Sequence, residues 1–389
     1  MNKLSNNTIA KADKPLKIAM IGHKLVPSRE GGVEIVVWEL AKRLRDQGHI
    51  VECYNRSGYH LRAKNYDRIP GRPGVYREGI RMITVPTFRN TKLNAIVYSA
   101  LASIRALFGG YDVIHYHAEG PCLMLWLPKL FGKRVVATIH GLDWQRAKWG
   151  NFASTMLKAG EKMAAKYADE VIVLSKNLQD YFMENYGRET HYIANGIDRP
   201  VKVSDEIIKE RWGLEKDSYV LTLSRLVPEK GIHYLIEAYR GVKTDKKLVI
   251  TGGSASAEDY RMKLAEMAKE DPRVMLAGFA DAPLVAGLFS NAWIYAIPSD
   301  IEGMAISLLE AMSYGNCCLV SDIPENMEVV ADKAESFHKS DVEDLRQKLQ
   351  NLLDHPEMVE KFRAGAADHI CSRYNWDEMV QKTLPLYYK

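Results

Sequence analysis

Short apolar runs recur along the chain, separated by stretches in which apolar residues return at helical spacing. The first run, KIAMIG (17–22), is apolar almost throughout, as strands buried on both faces are. After the loop HKLVPSREGG, residues Val33, Val36, Val37, Leu40 and Leu44 mark one helix face, and Gly48 ends the helix. Residues 50–54 form the next strand, so the chain opens as a βαβ unit. Further strands are expected at 112–117 and 134–140, each ending in histidine. A long helix over about 153–167 then precedes a strand at 170–175. After HYIANGIDRP (191–200) the composition turns polar and charged and reads as an interdomain linker. A second series follows, with strands at 219–224, 247–253, 274–279, 293–299 and 317–322 and helices near 231–240, 257–270, 282–290 and 304–314. Alternation in both halves predicts an α/β chain of two doubly wound domains facing across a cleft. The aromatic-spaced tail predicts a closing helix.

The 389 residues suffice for two cores, and 47% hydrophobic with 26% charged residues describes an ordinary globular protein. A net charge of +4 is too mild to imply nucleic acid. The five cysteines form no CxxC pair and are expected as reduced thiols of a cytosolic protein. Residues 1–14 read as a disordered polar leader without the apolar core of a signal peptide. With no membrane span either, the expected location is cytoplasmic, at most peripheral to the inner face of the plasma membrane. One segment changes this picture. Arg56, Arg62, Lys64, Arg68, Arg72, Arg77, Arg81, Arg89 and Lys92 face only Asp67 and Glu78, and the apolar stretch 93–108 follows. A solvated loop before a core helix is the plain reading; contact with an anionic membrane surface or a pyrophosphate-linked acceptor is the functional one.

The chemistry concentrates at strand ends. SDIEGMAISLLEAMSYG (299–315) follows an apolar strand and becomes helical from about Met304. Glu302 lies in the turn, Glu310 on the helix, and the backbone N–H groups of Gly303 to Ser307 could cradle a phosphate. In SRLVPEKG (224–231), Arg225 and Lys230 suit a diphosphate, one as a planar fork and the other as a point charge. Gly31 and Gly32 open the first helix, where backbone can approach an anion closely. His140 ends a strand in TIHGLD and could donate to a sugar or phosphate, or act as acid or base. His115 and His117 are read as ordinary residues on opposite faces of their strand. The DxE of Asp300 and Glu302 could hold Mn2+, yet two nearby cations make a metal less needed, and no zinc pattern is present.

Together these residues resemble the retaining GT-B glycosyltransferases of family 4, the glycosyl transferases group 1 domain. The likeness covers 16–389 and rests on GGVE (31–34), IHG (139–141), NGID (195–198), SRLVPEKG (224–231), GG (252–253) and EGMAISLLE (302–310). The opening GHKLVPSREGGVE looks like a bacterial surface-polysaccharide subgroup of hexosyl- and rhamnosyltransferases. The resemblance implies that Arg225 and Lys230 hold the donor diphosphate and stabilise the leaving group. It implies that Glu302 contacts the transferred sugar, with the backbone of Gly303, Met304, Ala305, Ile306 and Ser307 nearby, and that Glu310 takes the ribose hydroxyls. Gly252 belongs to the donor side, Gly31 and Gly32 to the acceptor side with Gly32 near the phosphates, and His140 to the sugar. No cofactor and no metal are implied. Ala305 and Ala194 depart mildly from the family pattern.

The expected organisation is an acceptor-side Rossmann-like domain over 15–200, a nucleotide-sugar-binding domain over 201–370, and a helix over 371–389 crossing back to the first domain. The expected partners are a nucleotide-sugar donor, UDP-linked first and dTDP-linked second, and a glycan or polyprenyl-pyrophosphate-linked acceptor. Two rivals stand beside this reading: a nucleotide-sugar 2-epimerase of the same architecture, and a catalytically silent sugar-nucleotide-binding subunit.

Overall fold

The computed structural model describes residues 14–58, 67–69, 73–87, 91–145, 150–253 and 257–388, the side chains of 91–93 excepted. The first sheet comprises β1 (Lys17–Ile21), β2 (Ile50–Arg56), β3 (Val75–Arg77), β4 (Ile80–Val85), β5 (Val113–His117), β6 (Arg134–Ile139), β7 (Glu170–Val173) and β8 (His191–Tyr192). Their order is β3-β4-β2-β1-β5-β6-β7-β8, parallel except for the β3–β4 hairpin. The second sheet comprises β9 (Tyr219–Leu223), β10 (Lys247–Thr251), β11 (Val274–Gly278), β12 (Ile294–Ile297), β13 (Cys317–Ser321) and β14 (Glu335–Phe337). Its order is β11-β10-β9-β12-β13-β14, all parallel. Both faces of each sheet are covered, which is why most positions of the central strands are apolar: in β1, Ile18 and Met20 enter one core while Ala19 and Ile21 enter another. Strand order reverses between β1 and β5 and between β9 and β12. Those reversals open a crevice at the carboxyl end of each sheet.

The chain passes from the first sheet to the second through 193–205 and returns near Tyr374. The two crossings touch, because the Ile197 N–H donates to the Tyr374 carbonyl at 2.9 Å. Beyond the return, helix Trp376–Thr383 packs on helix Gly32–Asp46, with Arg43 Nε donating to Asp377 at 2.9 Å. Arg134 Nε then donates to the Leu386 carbonyl at 2.8 Å, a contact between the tail and β6 of the first sheet. At the crossing, a β-carbon on Gly196 would stand 2.2 Å from the Trp376 backbone nitrogen. Gly196→Ala is therefore expected to cost about 2 kcal/mol, since the obstacle is backbone and cannot rotate away. Urea unfolding of the variant checks this.

Several expectations are corrected. The helix expected from Met304 begins at Ile306, because Ala305 remains extended (φ −74°, ψ 105°). The basic segment after Arg56 is not only loop: it contains β3 and β4, joined through Glu78 and Gly79 at positive φ, the backbone of a tight hairpin. Arg62, Lys64, Arg72 and Arg89 lie outside the described residues, as does the Lys92 side chain. Of the expected leader, residues 1–13 lie outside them too. Most of the stretch 93–108 belongs to helix Thr91–Leu107, which buries Tyr98, Ala102 and Ala106 but leaves Leu101 and Ile104 exposed, with Phe108 exposed just past its end. All five cysteines are free thiols. Among the described residues, no helix is long and apolar enough to cross a membrane.

Candidate active site

The crevice between β9 and β12 gathers the residues that the sequence singled out in the second half. After β9, Pro228–Lys230 form a single 3-10 turn and Gly231 takes φ +63°. A β-carbon there would meet the Pro298 carbonyl at 1.9 Å, so the turn sits hard against the end of β12. Lys230 thereby ion-pairs with Glu302, their side chains only 15% and 6% exposed. Arg225 stands half-buried at the mouth of the same turn. Gly252, at the end of β10, backs Ser224, where a β-carbon would meet the Ser224 carbonyl at 1.8 Å. Gly303, Met304, Ala305 and Ile306 are buried and Ser307 is half-buried. The carboxylates of Asp300 and Glu302 have different partners. Asp300 accepts from Ser340 Oγ at 2.7 Å and Tyr234 OH at 3.3 Å, whereas Glu302 holds Lys230. Among the described residues, no three His, Cys, Asp or Glu side chains come together as a metal site.

Glu310 is not solvated. Its carboxylate pairs with Arg29, which reaches across from the β1 loop of the first half. Burial raises the Glu310 pKa, and the Arg29 charge opposes that shift. Lys24 lies in the same loop, its N–H donating to Glu34 Oε1 at 2.9 Å. Desolvation by neighbouring groups holds its ammonium below the ordinary lysine range, although the residue is exposed; Glu34 offsets this in part, while Arg225 and Arg56 add to it. Neither Arg29 nor Lys24 was singled out from sequence. Their one signal was position, two cations just ahead of Gly31-Gly32 in a strand-to-helix loop. Gly31 is the extended N-cap of helix Gly32–Asp46. A β-carbon on Gly32 would meet only Ile306, at 3.6 Å, so this loop faces the start of the Ile306 helix.

His140 closes the site from the first half. Its carbonyl oxygen stands 1.7 Å from where a Gly303 β-carbon would be, and a β-carbon on Gly141 (φ +139°) would meet Gly303 Cα at 3.2 Å. The two halves therefore touch backbone to backbone beside Glu302. Behind His140, its Nε2 lies 3.2 Å from His117 Nδ1, and the His117 and His115 rings are 4.1 Å apart. Placing His115 and His117 on opposite faces was wrong, because residues two apart on a strand share a face. His115 is a tethered core histidine, bonded to Tyr387 OH at 2.7 Å and Thr138 Oγ1 at 2.8 Å. Burial lowers its pKa to about 3, with His140 contributing. His117 is pushed well below the ordinary range by burial and then by His115, His140 and His23. Both rings are neutral.

Two family models match the chain: Glycosyltransferase Family 4 over residues 30–199 and Glycosyl transferases group 1 over 204–369. An uncharacterized glycosyltransferase of Methanocaldococcus jannaschii is 26% identical, over 96% of this chain and 98% of its own length. The GDP-mannose:cellobiosyl-diphosphopolyprenol alpha-mannosyltransferase of Komagataeibacter xylinus is 21% identical, over 98% of this chain and 95% of its own. Among solved structures, Anabaena HepE in complex with UDP and glucose superposes with a TM-score of 0.77 at 19% identity, covering 95% of this chain and 98% of HepE. With both halves matched in order and both sheets meeting at one cleft, the chain belongs to the GT-B glycosyltransferases of family 4, its second half carrying the group 1 domain.

Proposed function

We propose that this glycosyltransferase moves a hexose or rhamnose from a nucleoside diphosphate to a glycan or polyprenyl-pyrophosphate-linked acceptor of a bacterial surface polysaccharide, with retention of configuration. The observation that carries the reading is the Lys230–Glu302 pair at the β9–β12 crevice, covered by His140 and Gly141, with Arg225 five residues before Lys230 in the segment after β9. In the proposed step the bond from the anomeric carbon to the diphosphate oxygen breaks, and its electron pair leaves with the phosphate. Arg225 and Lys230 meet that growing charge. The acceptor oxygen bonds to the anomeric carbon from the same face, and its proton passes to the departing phosphate. Glu302, the backbone from Gly303 to Ser307, and His140 hold the sugar. The contact of His140 with Gly303 excludes water that would hydrolyse the donor.

Glu310 takes the ribose hydroxyls in this reading, so Arg29 must give way when the nucleoside enters. Arg29 is half-exposed, and its pair is screened accordingly. Arg29→Ala is expected to tighten nucleoside diphosphate binding about three-fold by titration calorimetry; weaker binding would argue against displacement. The base is read as uracil first and thymine second, supported by the UDP in HepE, although the Komagataeibacter relative is named for GDP-mannose. Thermal melts with UDP, dTDP and GDP, without metal and then with Mn2+, test the whole reading. One nucleotide should raise the midpoint without metal, and Arg225→Ala should abolish the rise. A flat response to all three overturns it.

Peripheral membrane contact belongs to the same proposal, supported by exposed Leu101, Ile104 and Arg105 on one side of the helix and exposed Phe108 just past its end. Flotation with anionic liposomes should be salt-sensitive and should weaken in Phe108→Ser.

A further inference from the structure

The first sheet reverses its strand order between β1 and β5, and that crevice holds three buried histidines that the reaction above does not use: His23, His115 and His117. Each has a hydrogen-bond pattern that limits where its proton can sit. His23 Nε2 lies 3.0 Å from Asn55 Oδ1, and Asn55 Nδ2 is committed as a donor to the Val26 carbonyl at 3.0 Å. Asn55 therefore presents its oxygen, and His23 must donate from Nε2. Its Nδ1 is a bare lone pair, buried without a partner.

His117 offers a similar choice. Its Nδ1 meets His140 Nε2 at 3.2 Å, and its Nε2 is buried with no partner. One proton must lie between the two rings. If His140 donated it, His117 would carry its own proton on Nε2, leaving an N–H buried without an acceptor. Orphaned buried N–H groups are rarer and dearer than orphaned lone pairs. If His117 donates from Nδ1, the orphan is a lone pair, as on His23. Doubly protonated imidazolium is disfavoured here, because only other histidines, and no carboxylate, act on His117. With Nε2 of His140 accepting, its proton must sit on Nδ1.

We propose that His117 is a positioning residue that fixes His140 as the Nδ1–H tautomer, so that His140 serves the reaction as a hydrogen-bond donor from Nδ1 and not as a proton acceptor. This rests on the reading of His140 as a sugar-facing residue. His115 completes the arrangement: held at both nitrogens by Tyr387 and Thr138, it stacks on His117 and keeps that ring from turning.

The test is a long-range 1H–15N spectrum of the full-length chain with 15N-labelled imidazoles, His140 being assigned with His140→Gln. In the unliganded wild type, His140 should show a protonated Nδ1 and an unprotonated Nε2. His117→Phe keeps the site filled and apolar but removes the donor; His140 should then populate both tautomers. In the same variant kcat should fall roughly ten-fold with the donor KM nearly constant, the loss of about one hydrogen bond in the transition state. His117→Asn, whose side-chain amide donates from about the place of Nδ1, should restore both the spectrum and kcat. An Nε2–H form of His140 in the wild type overturns the proposal even if His117→Phe fails to fold. So does a His117→Phe protein with unchanged tautomer and kcat. The assigned tautomer in a chain that transfers no sugar would overturn the functional reading and the donor role together, while leaving the ring geometry standing.

Discussion

Replacing Lys230 with alanine is expected to lower sugar transfer by about 10²–10³-fold, the usual effect of removing one group that meets developing charge. Two losses combine. On the proposed donor reading the diphosphate loses a cation, and Glu302, only 6% exposed, loses its ion-pair partner. An uncompensated carboxylate then stands where an anionic donor must bind, so KM should rise as kcat falls. Stability should drop as well, by about 3 kcal/mol, because breaking an enclosed pair costs more than the pair was worth. The two effects can be separated. Lys230→Met combined with Glu302→Gln removes both charges and should recover most of the stability while transfer stays low. If the double variant regained activity with stability, Lys230 would be a structural partner of Glu302 and no part of the donor site.

What the chain discloses before folding follows from how local each signal is. Parallel strands buried on both faces are read directly from runs such as KIAMI and CCLVS, and the loops after them are where open α/β sheets bind ligands. That logic singled out Lys230 and Glu302, which the fold brings into an ion pair from turns 72 residues apart in sequence. In the other half it found His140 and the Gly31–Gly32 turn but not Arg29 or Lys24. Arg29 meets Glu310 across 281 residues, and no local pattern distinguishes it from any loop arginine. Strands β3 and β4 were hidden because the basic, Pro- and Gly-containing stretch around them masks a short hairpin whose turn needs only Glu78 and Gly79. The His115–His117 pair was misread by periodicity alone. A strand alternates faces at every residue, so two histidines in HYH stack side by side, and that stacking makes the β1–β5 crevice more than a wall of core. The late start of the Ile306 helix has a related cause. Helix-forming Ala305 is held extended where the cleft closes and Met304 stays outside the helix, a tertiary override of local preference.

Gly303→Ala is expected to reduce transfer at least about 100-fold while leaving both halves folded. The added methyl would stand 1.7 Å from the His140 carbonyl oxygen, 2.6 Å from its carbon and 3.1 Å from Gly141 Cα. All three are backbone atoms of another sheet, so no side-chain rotation relieves the clash. The halves must instead part by more than an ångström at the point where His140 and Glu302 meet. A displacement of that size costs about 10²-fold when reacting groups depend on alignment. The folded state has an escape short of unfolding, because the halves are joined by chain only through 193–205 and near Tyr374, and parting them gives up a weak contact beside the clash, from the Asn195 N–H to Met304 Sδ at 3.3 Å. Melting temperature should therefore change little, unlike that of Gly196→Ala, whose clash lies in the crossing itself. Gly150→Ala, with nothing within 4 Å of the new methyl, is the matched control. Small-angle scattering should show a more open Gly303→Ala chain. Wild-type transfer from a variant with an unchanged scattering profile would mean that the backbone contact between His140 and Gly303 has no part in the reacting arrangement.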